Sequence, residues 1–120
     1  MCRLVKFGQD YQIADIKLPY IENIIRRANS SPHIEKIILF GSALEERCTE
    51  NSDIDIAVFG DLSKGKYYTT REYRQFVDGI FDFGFEQDYD ILYFKEGTKN
   101  DAPILKEVEK GAVIYRRAGA

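Results

Sequence analysis

Histidine and cysteine are scarce: the 120 residues hold one histidine and two cysteines. Cys2 and Cys48 lack metal-ligand spacing, and two thiols in a chain of this kind are expected to stay reduced in the cytosol. His33 precedes an apolar run with no evident partner, so no general-base role falls to it. No apolar run is long enough to cross a membrane. The start, Met1-Cys2-Arg3-Leu4-Val5-Lys6, lacks the sustained apolar segment of a signal peptide. A cytoplasmic protein without a membrane partner is the expectation. An excess of positive charge is missing too: 17 Lys and Arg face 20 Asp and Glu, for a net charge of −3. That balance argues against tight, nonspecific nucleic-acid binding, which needs a basic surface. There is no repeat, low-complexity tract or linker. One domain over residues 1–120 is expected, with 1–17 as an N-terminal edge strand or extension.

Helix-type and strand-type patterns alternate along the rest. Leu4, Phe7, Tyr11 and Ile13 alternate loosely. From Pro19 to Asn29, Ile21, Ile24, Ile25 and Ala28 follow helical spacing, with Pro19 suited to a first turn. Ser30-Ser31-Pro32 ends that helix, and Ile34–Phe40 reads as a buried strand. A helical turn is expected after Ser42, then a second strand over Asp53–Phe59. Gly60–Thr69 reads as a polar loop, in which Tyr67 and Tyr68 are candidates for an interface. Thr69-Thr70-Arg71-Glu72 has capping-box spacing with Thr69 as N-cap, opening a helix with Tyr73, Phe76, Val77 and Ile80 on one face. Tyr89–Phe94 is a third strand. Asp101-Ala102-Pro103 starts a helix that Gly111 caps, and Ala112–Tyr115 is a last strand. An α/β or α+β layout follows: a small mixed sheet with helices mainly on one face.

The chemistry concentrates between Phe40 and Phe59. An apolar run enters Gly41-Ser42, a polar excursion follows, and a second apolar run opens with Asp53-Ile54-Asp55. In an extended strand, residues i and i+2 share a face, so Asp53 and Asp55 aim together while Ile54 and Ile56 turn away. Two like charges side by side repel unless protonated or bridged by a cation. Hard oxygen donors of this kind suit Mg²⁺, which completes its shell with phosphate oxygens and water.

This pattern resembles the nucleotidyltransferase superfamily typified by DNA polymerase β, and especially its minimal nucleotidyltransferase branch. The likeness runs in order from Ile34 to Tyr115. It implies that Gly41 and Ser42 cradle nucleotide phosphates and that Asp53 and Asp55 hold two Mg²⁺ ions. It further implies a third carboxylate from a later strand. Glu86-Gln87-Asp88-Tyr89-Asp90-Ile91 offers Asp88 or Asp90 for that place, and Asp90 is favoured because it adjoins the apolar run. The implied reaction transfers a nucleotide, AMP from ATP being the expected donor pair, to a hydroxyl. Positioning and charge neutralisation do most of the work of such transfers.

Two departures stand out. Where many members of the branch carry arginine and glycine shortly after Gly-Ser, this chain has Glu45 and Glu46. Arg47 is the nearest positive charge. Lys64, Lys66, Arg71 and Arg74 read as a solvated loop and helix face. Small members of the branch commonly pair, as antitoxins, with a HEPN-type toxin, so a tyrosine of such a partner is one expected acceptor. The alternative is a non-catalytic antitoxin that neutralises its partner by binding. Eight tyrosines and eight phenylalanines exceed the needs of so small a core, which leaves an oligomer open.

Overall fold

The computed structural model describes residues 2–84, 86–97 and 102–117. Its centre is a four-stranded sheet of β3 (Ile34–Phe40), β4 (Ile54–Gly60), β5 (Tyr89–Lys95) and β6 (Ala112–Arg116), in the order β5-β4-β3-β6. β3 runs antiparallel to β4 and β6, whereas β4 and β5 are parallel. A parallel pair needs a crossover, and two helices supply it: α2 (Lys64–Tyr68) and α3 (Arg71–Phe81). α1 (Leu18–Asn29) precedes β3, and α4 (Ile104–Glu109) precedes β6.

The period-2 alternation of each strand sorts side chains onto two faces. One face carries Ile37, Leu39, Ile54, Ile56, Val58 and Tyr93. It packs against Ile21, Ile24 and Ala28 of α1 and Phe76 and Ile80 of α3. α1 and α3 touch closely: the buried Asn23 donates to the Gly79 carbonyl at 3.0 Å. The other face carries Ile38, Phe40 and Ala57 under Val108 of α4, flanked by Phe59, Leu92 and Phe94. The layout is the expected mixed sheet with helices mainly on one face.

The N-terminal residues form two strands, β1 (Leu4–Phe7) and β2 (Tyr11–Ala14), which among the described residues pair with each other in a hairpin apart from the main sheet. Four local expectations are corrected. The polar stretch after Gly60 is not all loop, because Ser63 caps α2 by accepting from the Lys66 N–H. Within that helix Tyr67 is 1% exposed, with its ring stacked on Tyr93 at 4.5 Å and met edge-on by Tyr73. Tyr67 is therefore core; Tyr68 alone of the two is exposed. The N-cap of α3 is Thr70, whose hydroxyl accepts from the Tyr73 N–H at 3.1 Å. The hydroxyl of Thr69 instead donates back to the Lys66 carbonyl at 2.7 Å, closing α2. Finally, the C-cap of α4 is Lys110, and Gly111 has no left-handed backbone. Gly111 is required by closeness: a Cβ there would drive into the Leu39 carbonyl. Asp101, expected to start α4, lies outside the described residues.

Candidate active site

β3 ends in Phe40, and the chain turns at Gly41 into a single 3-10 turn over Gly41–Leu44. Gly41 has φ +79°, a conformation open to glycine and costly for other residues. Space demands glycine as well, because a Cβ at this position would collide with Oδ2 of Asp55. The Gly-Ser turn and the second aspartate of Asp-Ile-Asp are thus in direct apposition, which the intervening excursion through Glu45–Ser52 makes possible.

Strand register places the carboxylates. Phe40 is opposite Asp55 across β3 and β4, and Asp55 is opposite Asp90 across β4 and β5. All three belong to the face of the sheet that carries α4. Asp53 stands two residues before Asp55, just ahead of β4. Asp90 lies inside β5, whereas Asp88 precedes it and offers its backbone carbonyl to the Ile54 N–H at 3.0 Å. Asp53 and Asp90 are exposed; Asp55 is half-buried. Partial burial pushes the Asp55 carboxyl above the ordinary aspartate range, with the charges of Asp90 and Asp53 adding to the rise. The three carboxylates therefore share one electrostatic environment.

Among the described residues no three His, Cys, Asp or Glu side chains are drawn together tightly enough to form a ready cation site. Like charges stand apart until something positive bridges them. The donor set nevertheless fits a hard divalent cation: oxygen only, several negative charges, and a glycine that keeps the space over Asp55 free of a side chain.

Lys17 and Gln87 were not legible as site residues. Lys17 is 1% exposed, and its ammonium lies behind the loop that delivers Asp53. Burial lowers its pKa, opposed by the nearby Cys48, Asp53 and Glu50 charges. Glu45 and Glu46 are exposed, and Glu45 pairs with Arg47, which partly offsets the acidic departure after Gly-Ser. His33 does have partners, Asp61 at 3.1 Å and Glu72 at 3.7 Å, both far in the sequence.

The sequence profile of the family described as polymerase beta, nucleotidyltransferase, matches residues 22–119. The chain belongs to this family. No curated protein sequence matches significantly. Among solved structures, the fold is similar to that of a Sulfolobus solfataricus protein provisionally described as a nucleotidyltransferase. The TM-score is 0.50 at 21% identity, over 88% of this chain and 83% of that one. The polymerase β-type match begins within α1, and β1 and β2 lie outside it.

Proposed function

We propose that this protein is a minimal nucleotidyltransferase that moves AMP from ATP to a hydroxyl, with Asp53, Asp55 and Asp90 as catalytic carboxylates and metal ligands. The observation that supports this most is the pairing of Asp55 with Asp90 on neighbouring parallel strands, with Asp55 against Gly41. Two Mg²⁺ ions bound by these carboxylates would supply charge neutralisation for the triphosphate. Gly41 leaves room for phosphate oxygens, and Ser42 offers its hydroxyl to them. Asp90 takes the proton of the acceptor hydroxyl. That oxygen forms its bond to the α-phosphorus as the bond to the bridging oxygen breaks, and pyrophosphate leaves with the electron pair.

A tyrosine hydroxyl of a HEPN-type toxin, in the cytoplasm, is the acceptor we favour, on the strength of the resemblance to small minimal nucleotidyltransferases. Incubation with radiolabelled ATP, Mg²⁺ and the co-purified partner should label that partner. Equal labelling by an Asp53→Asn, Asp55→Asn double variant would refute the assignment. A binding-only antitoxin is the second reading, favoured by the exposed Phe81 and Phe83 rings. It requires the double variant to neutralise the toxin as well as wild type, with no gain in toxin mass.

A further inference from the structure

We propose that Lys17 is a positioning residue that holds Asp53 in place beside Asp55 and Asp90 from behind, an inference that rests on the nucleotidyl-transfer reading. Lys17 ends a 3-10 turn (Asp15–Lys17) that joins the N-terminal hairpin to α1. Its Nζ donates to the Glu50 carbonyl at 3.2 Å, the Ser52 carbonyl at 2.7 Å and Oε1 of Gln87 at 2.6 Å. An ammonium has three protons to donate, and here each has an acceptor.

Those acceptors lie on the two segments that bring in the catalytic carboxylates. Ser52 is the residue before Asp53; Gln87 leads into Asp88 and the start of β5. Gln87 is 5% exposed and ties the same segments again, its Nε2 donating to the Ser52 carbonyl at 3.0 Å and the Asp88 carbonyl at 2.7 Å. The Ile54 N–H closes the set on the Asp88 carbonyl at 3.0 Å. Six hydrogen bonds thus link Lys17, Gln87 and the chain just before β4 and β5, and all but the last involve Lys17 or Gln87. The place of Asp53 relative to Asp55 and Asp90 depends on how the chain enters β4 beside the start of β5. The β4–β5 ladder fixes Asp55 against Asp90, but Asp53 precedes β4, and the bonds from Lys17 and Gln87 to the Ser52 carbonyl hold the chain where Asp53 begins.

A buried ammonium is costly to desolvate, and an apolar side chain of similar length would fill the same space at no such cost. Its presence is accounted for by what it holds. Partners one layer behind metal ligands typically change metal affinity when lost, by about 10–100-fold.

The test uses the purified full chain and Mn²⁺ binding followed by electron paramagnetic resonance, at a temperature where circular dichroism shows each variant folded. Lys17→Met and Gln87→Leu should each weaken Mn²⁺ binding about 10-fold or more. Folded variants with unchanged Mn²⁺ affinity, even if less heat-stable, would overturn the proposal and reduce Lys17 to a structural role. Should Lys17→Met fail to fold, Gln87→Leu decides alone, since it leaves the ammonium two carbonyls. Wild type that binds Mn²⁺ no better than the Asp53→Asn, Asp55→Asn double variant would instead sink the site itself, and with it this inference.

Discussion

Asp55 sits where the demands of folding oppose those of the proposed metal site. It is half-buried, faces Gly41, and has Asp53 and Asp90 for neighbours. Its folded-state carboxyl holds a proton more tightly than the same group in the unfolded chain. Folded protein therefore binds more protons, and stability falls as pH rises through the carboxylate range. In metal-free buffer at neutral pH, Asp55→Asn should raise Tm in a thermal melt, because it removes the charge that folding disfavours. The same substitution should cut nucleotidyl transfer by more than about 100-fold, since the loss of direct ligands exceeds that of their supporting partners. Divalent cation should raise the Tm of wild type but not of the variant. Gly41→Ala should cost about 1–2 kcal/mol of stability from its left-handed φ alone. The Cβ collision with Asp55 adds to this, and urea titration measures the total. At this scale the Asp-x-Asp pair and the glycine were readable from spacing. Lys17 was not, because its acceptors are backbone carbonyls and one glutamine, 33 to 70 positions away.

Between β4 and β5, the elements that sequence periodicity located least well are the short ones. A five-residue helix such as α2 has too few turns to show a period, and its single buried residue, Tyr67, looks in sequence like any surface tyrosine. Capping-box spacing then pointed to Thr69 as the cap of the next helix. Thr69 and Thr70 are divided by the end of α2: the first closes that helix and the second opens α3. Thr70→Ala should destabilise the protein by about 1 kcal/mol, as loss of an N-cap does, measured by chemical denaturation. Thr69→Ala at its exposed position should stay within about 0.5 kcal/mol of wild type. The reverse order would restore Thr69 as the cap. The long elements α1, β3, β4 and β5 were legible because each repeats its apolar period over at least seven residues.

Taken whole, the molecule places its aromatic rings where composition could not. Tyr67, Tyr89 and Tyr93 are packed against the α1–α3 face, and burial raises each phenol from 10.0 to about 12. Stability from these groups is intact below pH 10, the unfolded value, and is lost as pH climbs towards 12. A spectrophotometric titration should show a late-ionising class of tyrosines whose transition coincides with unfolding; ionisation of every tyrosine near 10 would contradict their burial. Phe81 and Phe83 lie on the surface instead, packed edge-on against Tyr89 and Tyr20 respectively. A chain of this composition gives no sign of which ring goes where.

The linear chain determined the strands, the α1 and α3 helices, the Gly-Ser turn and the first two carboxylates. These follow from local periods of 2 and 3.6 and from a conformation only glycine readily adopts. Tertiary structure decided the rest. The parallel register of β4 and β5 brings Asp90, rather than Asp88, alongside Asp55, and register arises from packing between distant segments. The Lys17 clamp and the burial of Tyr67 share that origin. Each is a contact between residues whose proximity no local pattern encodes.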